Sequence, residues 1–266
     1  MASKLGQNFL INKSKLRKIA DVLELKSNDT IIEIGPGHGE LTKELKVESL
    51  KLKVIAIEKD EKLVGLLKEK FRGDKNIEII SGDALKILPK LTQHSRLIAH
   101  NYKLAGNIPY YITGYLFRIL GELENKPSLV VLTIQKEVAQ RVAAKPPEMN
   151  LLAASVQLWA EPKIAGYISK KYFRPAPKVD SAIIKLRIRN KELGIMENEY
   201  YKLIKILFKQ PRKTILNNLT FGIKNNELGI MDKEKIIEKL KKSGIKPTDR
   251  PQNLTIEQIK KLSKLP

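Results

Sequence analysis

The tetrapeptide Asn107-Ile108-Pro109-Tyr110 carries groups suited to holding the exocyclic amine of a flat heterocyclic base. Asn107 has a side-chain carbonyl that can accept a hydrogen bond, as can the backbone carbonyls of Ile108 and Pro109. Tyr110 supplies an aromatic face for stacking. The lone pair of an aromatic amine is delocalised into its ring, so two acceptors on its two hydrogens would free that lone pair for attack. A simple turn after a strand is the alternative interpretation, and the rest of the chain must decide.

Three further strand ends carry residues suited to an adenosine-containing ligand. Gly35 and Gly37 lie in the strand-to-helix turn Gly-Pro-Gly-His-Gly, where missing side chains let a ligand lie against the backbone. Glu58 ends the next strand, where a carboxylate can bind both ribose hydroxyls, and Asp83 ends the third, where it can accept from an adenine amine. The glycine spacing is not that of a pyrophosphate binder. The set favours S-adenosyl-L-methionine over NAD as cofactor, although each residue alone could serve a turn or a helix cap.

The chain is strongly basic, with 50 Lys and Arg against 29 Asp and Glu among 266 residues, a formal charge of +21. Such a charge favours a nucleic-acid partner, with a solvated lysine-rich surface as the alternative. From two local basic clusters, the candidate RNA contacts are Lys170, Lys171, Lys178, Lys209, Arg212 and Lys213. The absence of cysteine and of a long apolar run predicts a cytoplasmic protein without a membrane span. With no cysteine and only scattered histidines, we expect no metal site.

Apolar strands alternate with helices over the first 190 residues. Segments such as 30–34, 54–58 and 129–134 lack the polar alternation of half-exposed strands. They predict an α/β fold, with a mostly parallel sheet covered on both faces. Segments 163–168 and 182–188 are predicted to form a final antiparallel pair.

Beyond residue 190 only helical patterns follow, which predicts a small all-α domain over residues 191–266. Asp232 is a candidate N-cap, and Gly244 a glycine stop for the helix that Asp232 begins. Thr255 and Gln258 have the spacing of a capping box, in which each side chain accepts the other's backbone amide.

Together these motifs resemble the small-subunit ribosomal RNA adenine N6,N6-dimethyltransferases of the KsgA type, over nearly the whole chain. The segments that carry the resemblance are Gly-Gln-Asn-Phe-Leu at 6–10, Glu-Ile-Gly-Pro-Gly at 33–37, Gly-Asp-Ala at 82–84, Gly-Asn-Ile-Pro-Tyr at 106–110, Gln-Lys-Glu-Val at 135–138 and Phe-Arg-Pro-Ala-Pro-Lys-Val-Asp-Ser-Ala at 173–182. The resemblance implies a Rossmann-like S-adenosylmethionine-dependent methyltransferase domain over 1–190, followed by a helical RNA-recognition domain over 191–266.

The same resemblance implies roles for individual residues. Asn8 and Leu10 would close over the cofactor, with Gly35 beneath it. Tyr110 and Phe173 would hold the flipped target adenine between their rings. The roles of the remaining site residues agree with those argued above, with Asn107 serving both the cofactor and the target amine. The implied substrate is a pair of adjacent adenosines in a hairpin loop near the 3′ end of 16S rRNA, within an assembling small subunit, and we expect a monomeric enzyme.

Three alternatives remain open at this point. Large-subunit rRNA methyltransferases of the macrolide-resistance type share Asn-Ile-Pro-Tyr. Segments 208–219 and 244–255 are instead similar to the small-subunit family. This similarity implies a basic helical segment at 208–219. A non-catalytic assembly factor is disfavoured by the intact motifs, and a small-molecule methyltransferase by the charge. Two departures from the family pattern stand out: Pro211 interrupts a segment usually written Gln-Arg-Arg-Lys, and residues 148–157 lack an expected Tyr-Gly-Arg.

Overall fold

A seven-stranded mixed sheet forms the core of the first part of the chain in the computed structural model, which describes residues 7–94, 102–189, 197–225 and 232–264. Gly6, the first residue of the N-terminal motif, lies outside these residues. Numbered in chain order, the strands of the described residues are β1 (Phe9–Leu10), β2 (Thr30–Ile34), β3 (Lys53–Glu58), β4 (Ile77–Ser81), β5 (Tyr102–Asn107), β6 (Leu129–Gln135), β7 (Ala160–Ile168), β8 (Phe173–Arg174) and β9 (Ser181–Ile188).

The sheet has the order β4-β3-β2-β5-β6-β9-β7. Pairing is parallel from β4 through β6, and β9 runs antiparallel to β6. Every residue of β2 is buried, as expected for a parallel strand covered on both faces. The predicted α/β fold is therefore confirmed. The direction of the chain's progress across the sheet reverses between β2 and β5, the kind of switch point at which open α/β sheets bind ligands.

Helices cover the sheet and make up the C-terminal part of the chain. In the described residues they are α1 (Lys13–Val22), α2 (Glu40–Leu45), α3 (Glu61–Lys70), α4 (Ala84–His94), α5 (Thr113–Glu122), α6 (Lys136–Val142), α7 (Leu151–Gln157), α8 (Glu197–Leu207), α9 (Ile215–Lys224), α10 (Lys233–Lys242) and α11 (Ile256–Lys264). Helix α4 is not predicted from the sequence, because it contains Pro89 and proline normally ends a helix.

A separate two-stranded ladder ties the N-terminal segment to the loop before β9. In it β1 and β8 run antiparallel, with Phe9 opposite Arg174 and Leu10 opposite Phe173. Leu10 and Phe173 are both buried, 4% and 1% exposed, in one apolar cluster that also includes residues of α1 and β2. Each strand has only two residues, which is too short for a sequence pattern to reveal.

The chain divides into two compact units, Met1–Ala139 with Glu161–Ile188, and Gln140–Ala160 with Arg189–Pro266. The sequence analysis places one boundary near residue 190, whereas the structure also groups residues 140–160 with the C-terminal helices. The physical reason lies in α7, whose Ala153 and Ala154 are buried in the same apolar cluster as Tyr200 and Leu203. The Tyr200 hydroxyl also donates to the Ala154 carbonyl at 2.9 Å.

Within the helical unit, the predicted helix ends are confirmed. Asp232 Oδ1 accepts a hydrogen bond from the Lys235 amide at 2.8 Å, and Gly244 follows α10 with φ +69°. Gln258 Oε1 accepts the Thr255 amide at 2.9 Å, while Thr255 Oγ1 accepts the Gln258 amide at 3.2 Å. This reciprocal pair is the capping box that the sequence predicts.

Two features are absent from the described residues. Their helices are too short or too polar to cross a lipid bilayer. Nor do these residues include a group of three or more His, Cys, Asp or Glu side chains placed to hold a metal ion.

Candidate active site

A cleft of about 820 Å³ opens in the first unit, at the carboxyl ends of the strands on both sides of the switch point. This volume includes space that is open to solvent. The predicted site residues that line it are Asn8, Gly35, Gly37, Glu58, Asp83, Asn107, Ile108, Pro109, Tyr110 and Phe173. Leu10 is not among the lining residues, because its side chain lies in the apolar cluster beneath. The fold therefore brings together residues from separate parts of the sequence at one edge of the sheet.

Two glycines in the turn after β2 are required for different reasons. Gly35 has φ +65°, and apart from its chain neighbours no described atom lies within 4 Å of the position that a Cβ would take. Gly37 has φ +59°, and a Cβ there would lie 2.8 Å from the Phe9 ring. Phe9 packs in turn against His38, with ring centroids 4.5 Å apart. Gly35 thus leaves space for a ligand above the backbone, while Gly37 leaves space for Phe9.

The Glu58 carboxylate is buried, 3% exposed, and held by backbone amides. Its Oε1 accepts hydrogen bonds from the amides of Lys59 and Asp60, both at 2.9 Å, and its Oε2 accepts one from Gly37 at 3.1 Å. A carboxylate has about four acceptor positions. The group is therefore fixed in orientation and retains capacity, on Oε2, for a hydroxyl in the cleft.

Asp83 forms an ion pair that the sequence analysis does not predict. Its Oδ2 lies 2.9 Å from Lys59 Nζ, and its Oδ1 accepts the Leu85 amide at 3.0 Å. Burial raises the pKa of Asp83, but the hydrogen bonds from Lys59 and Leu85 outweigh it, so this pKa lies below the ordinary value. Asp83 is therefore ionised at neutral pH. The Lys59 side chain is half exposed, so solvent screens the pair and leaves Asp83 able to accept from a ligand.

The Asn107 side chain is oriented by the N-terminal segment. Its Nδ2 donates to the Asn8 backbone carbonyl at 2.7 Å, which turns Oδ1 away from that segment. The Ile108 amide donates to the Thr133 carbonyl at 3.1 Å, and the Pro109 carbonyl accepts the Ile112 amide at 3.1 Å. Among the described residues we find no donor to Asn107 Oδ1 or to the Ile108 carbonyl. These two oxygens are therefore able to accept hydrogen bonds from a ligand.

Two aromatic residues line the cleft next to these acceptors. The Tyr110 hydroxyl lies 2.9 Å from Ser181 Oγ, a hydrogen bond that fixes the ring, and burial raises the pKa of this tyrosine. Phe173 is held in β8 and is almost fully buried. The expectation that both rings contact one target base stays a prediction.

A buried acid lies in β2, beneath the glycine turn. Glu33 is 1% exposed, and its Oε2 accepts a hydrogen bond from Thr42 Oγ1 at 2.7 Å. Burial raises the pKa of Glu33 to about 7; the Thr42 bond lowers it, and the negative charge of Glu58 raises it. At neutral pH this carboxyl is therefore protonated for much of the time.

The predicted RNA contacts are exposed in both units. Those in the first unit are Lys170, Lys171 and Lys178, and those in the helical unit are Lys209, Arg212 and Lys213. Two of them lie over aromatic rings: Lys171 Nζ is 5.3 Å from the centroid of Tyr172, and Lys209 Nζ is 5.1 Å from that of Phe221. Within each unit these cations are accessible to a polyanion.

Residues 208–214, which we term the basic turn, connect α8 to α9 and present the second group of cations. Asn218 is 2% exposed and holds the basic turn from beneath: its Oδ1 accepts the Gln210 amide at 3.2 Å, and its Nδ2 donates to the carbonyls of Gln210 and Thr214, both at 3.1 Å. The helical segment expected at 208–219 begins only at Ile215. Pro211 is exposed in the basic turn and interrupts no helix.

Several residues of the cleft had no assigned role in the sequence analysis. Phe9, Lys59, Tyr111 and Ile112 all line it. Phe9, Lys59 and Tyr111 each directly adjoin a predicted residue, and Ile112 lies two positions beyond Tyr110, so sequence neighbourhood is the available signal. The sequence pattern does not show which of these side chains face the cleft.

Comparison with known proteins agrees with this geometry. A family model described as ribosomal RNA adenine dimethylase matches residues 1–262. A ribosomal RNA small subunit methyltransferase A from Dehalococcoides mccartyi is 40% identical over 262 residues, 97% of this chain and 86% of the relative. A crystal structure of a dimethyladenosine transferase from Plasmodium falciparum is 29% identical with a TM-score of 0.78, covering 96% of this chain and 95% of that one. The crystal structure of the 23S rRNA methyltransferase ErmE, 24% identical with a TM-score of 0.74 over 97% and 98% of the chains, shares the fold.

Proposed function

Because this chain belongs to the ribosomal RNA adenine dimethylase family, we propose that it transfers methyl groups from S-adenosyl-L-methionine to the N6 amines of two adjacent adenosines in a hairpin loop near the 3′ end of 16S rRNA. The substrate is the assembling small ribosomal subunit, on which the enzyme acts as a monomer during subunit biogenesis. The observation that carries the proposal is the orientation of Asn107, whose Nδ2 is bonded to the Asn8 carbonyl so that Oδ1 is free to accept from an amine.

The residues around the cleft fit S-adenosyl-L-methionine. The space above Gly35 would be filled by any Cβ and accommodates a ligand against the backbone. Glu58 would accept from the ribose hydroxyls, since three backbone amides already fix its orientation. Asp83, ionised beside Lys59, would accept from the adenine amine. When bound, the cofactor supplies a methyl group on a positively charged sulfur, which a neutral amine can take by direct displacement.

The chain's own contribution to catalysis is to hold and orient the target base. Base chemistry requires an unstacked nucleotide. Asn107 Oδ1 and the Ile108 carbonyl would each accept one N6 hydrogen and so turn the nitrogen lone pair out of conjugation with the ring. Tyr110, fixed by Ser181, would stack on one face of the adenine, and Phe173 would lie against it. Orientation of this kind supplies much of a rate enhancement without a strong base. The amine becomes acidic as it is alkylated, so its proton can pass to water.

The basic surface residues would bind phosphates of the RNA. In the first unit these are Lys170, Lys171 and Lys178, and the basic turn contributes Lys209, Arg212 and Lys213. Phosphate contacts of this kind position a nucleic acid without reading its sequence. These residues contribute six of the 50 Lys and Arg side chains of the chain.

A methylation assay on isolated ribosomal subunits tests the proposal. Undermethylated small and large subunits are incubated separately with the enzyme and methyl-labelled cofactor, and the labelled positions are mapped. We expect label only in the small subunit, with two methyl groups on each of two neighbouring adenosines. Label in the large subunit instead would establish the macrolide-resistance specificity. Binding to small subunits without any label would make the protein a non-catalytic assembly factor.

A further inference from the structure

Two tyrosines that follow the tetrapeptide 107–110 within five residues have highly exposed side chains. Tyr111 is 64% exposed and Tyr115 is 56% exposed, while Leu116 and Phe117 on the other side of α5 are buried. Tyr111 also lines the cleft. Since the packing of α5 uses its opposite side, neither tyrosine ring is needed to hold the helix in place.

These tyrosines belong to an exposed row, the tyrosine stripe, formed by Tyr111 in the 3-10 turn before α5 (Tyr110–Ile112) and by Gly114, Tyr115 and Arg118 of α5. Residues spaced three or four apart lie on the same side of a helix. All four are exposed, and the Arg118 side chain, 69% exposed, forms an ion pair with Glu122 at 2.9 Å. The tyrosine stripe therefore begins at the cleft and continues along α5 with two aromatic faces and a cation.

Gly114 is not explained by the packing of α5. Its φ lies outside the left-handed region, and a Cβ built on it would meet nothing within 4 Å among the described residues. Glycine in a helix is less favourable than alanine, because it loses more conformational freedom on folding. The missing side chain of Gly114 leaves the helix backbone open to close approach by a partner.

We propose that the tyrosine stripe is a stacking site for the unpaired bases that flank the target adenosine. This inference rests on the proposed function. Extruding a base deprives its neighbours of stacking partners, and aromatic side chains supply replacement faces in single-stranded RNA recognition. Tyr111 and Tyr115 would each stack on a base, and Gly114 would let a base lie against the backbone between them. Arg118 would contact the adjoining phosphate or a base face.

Single-stranded RNA is the occupant that the surroundings favour. The tyrosine stripe is continuous with the cleft through Tyr111, so a chain with its target base in the cleft passes over it. The charge of +21 favours a polyanion over a basic or neutral protein surface.

The sharpest test uses a pair of glycine substitutions. Gly65 of α3 is also an exposed helical glycine whose Cβ would meet no described atom within 4 Å, and it is not part of the tyrosine stripe. Gly114→Leu and Gly65→Leu should both leave the melting temperature unchanged or raised, because leucine favours helix. Only Gly114→Leu should raise the KM for undermethylated small subunits, by about fivefold or more. Equal KM values for the two variants would overturn the proposal.

Substitutions of the two tyrosines test whether their rings stack on RNA bases or contribute to cofactor binding. Tyr111→Ala and Tyr115→Ala should each weaken small-subunit binding by roughly 5- to 150-fold, the range for loss of one stacked base, and Tyr→Phe at either position should restore most of it. The Kd for S-adenosyl-L-methionine should not change. A loss of cofactor affinity alone in Tyr111→Ala would place that ring in the cofactor site and overturn the inference.

Assays of the wild-type enzyme show whether the stacking site or the proposed function has failed. If it methylates small subunits and all tyrosine-stripe variants behave like it, only this inference fails. If it methylates no ribosomal particle, the proposed function fails, and the stacking site falls with it.

Discussion

The side-chain amide of Asn107 donates to the backbone carbonyl of Asn8 at 2.7 Å, although 99 positions separate the two residues. Asn8 immediately precedes β1, whose pairing with β8 places Leu10 opposite Phe173. The short N-terminal segment therefore fixes the amine acceptor on one side and supports the aromatic wall of the cleft on the other. In the proposed function, this segment would therefore contribute as much to the orientation of the target base as the tetrapeptide itself.

Asn107→Ala should abolish most methyl transfer while leaving RNA binding nearly intact. The substitution removes the Oδ1 acceptor, and loss of one aligned hydrogen-bonding group at a reacting centre typically lowers kcat by about 10²- to 10³-fold. The phosphate contacts are elsewhere, so the Kd for small subunits should stay within about twofold. Single-turnover methylation and filter binding measure the two quantities.

Asn12→Ala is the matched control for that variant. Asn12 Oδ1 caps α1 by accepting the Lys15 amide at 3.0 Å, and it does not line the cleft. Its loss should cost about 1 kcal/mol of stability with kcat unchanged. Normal turnover by Asn107→Ala would contradict the acceptor role.

Gly37→Ala should weaken cofactor binding by displacing Phe9. Alanine at φ +59° is strained by about 1–2 kcal/mol, and its Cβ would also lie 2.8 Å from the Phe9 ring. Gly73→Ala carries the same kind of strain at φ +81° but meets nothing within 4 Å in the described residues. Calorimetric titration with S-adenosyl-L-methionine should show a raised Kd for the first variant only. An equal Kd in both would mean that the Phe9 contact has no part in the site.

The sequence predicts, for a geometric reason, that four residues of the cleft lie close together. Gly35, Glu58, Asp83 and Asn107 each end or follow a parallel strand, and the carboxyl ends of parallel strands share one edge of a sheet. Once the strands are recognised, their ends are necessarily neighbours. No long-range information is needed to bring these four residues together.

Contacts between distant segments could not be predicted in this way. The pairing of β1 with β8 involves two residues on each strand, and the bond from Asn107 to Asn8 depends on it. Likewise, helix α7 groups with the C-terminal unit because Ala153 and Ala154 pack there, and small apolar residues carry no signal of their partner. Tertiary packing, not local pattern, decides these features.

Glu33→Gln should flatten the pH dependence of stability. The folded protein holds the Glu33 proton up to about pH 7, whereas an unfolded carboxyl loses it near the ordinary value of 4.5. Between these values the folded state binds more protons, so the free energy of unfolding falls as pH rises, by roughly 2–3 kcal/mol in total. Glutamine stays neutral and can still accept from Thr42. Urea unfolding across that window should show a smaller decline for the variant, and parallel curves would contradict the buried-acid assignment.

Replacing Arg212 and Lys213 together by glutamine should weaken RNA binding and reduce its salt dependence. Each phosphate contact that is lost lowers the magnitude of the slope of log K against log salt by about 0.7 to 0.9. Both side chains are exposed, so stability should change little. The measurement is small-subunit affinity over a series of salt concentrations. An unchanged slope would place these residues away from the RNA.

Asn218→Ala should also weaken RNA binding and reduce its salt dependence, although it removes no cation. It leaves the Gln210 amide and the carbonyls of Gln210 and Thr214 without the partner that now holds the basic turn, which should cost about 1–3 kcal/mol of stability. A loosened basic turn no longer presents its cations together, so the salt slope should fall towards that of the double glutamine variant.

Asn217→Ala is the control, because Asn217 is exposed and bonds Thr214 Oγ1 through its backbone amide, which alanine retains. Affinity must be measured below the unfolding temperature of both variants. A destabilised Asn218→Ala protein with a wild-type salt slope would show that Asn218 supports the fold alone and does not position the cations.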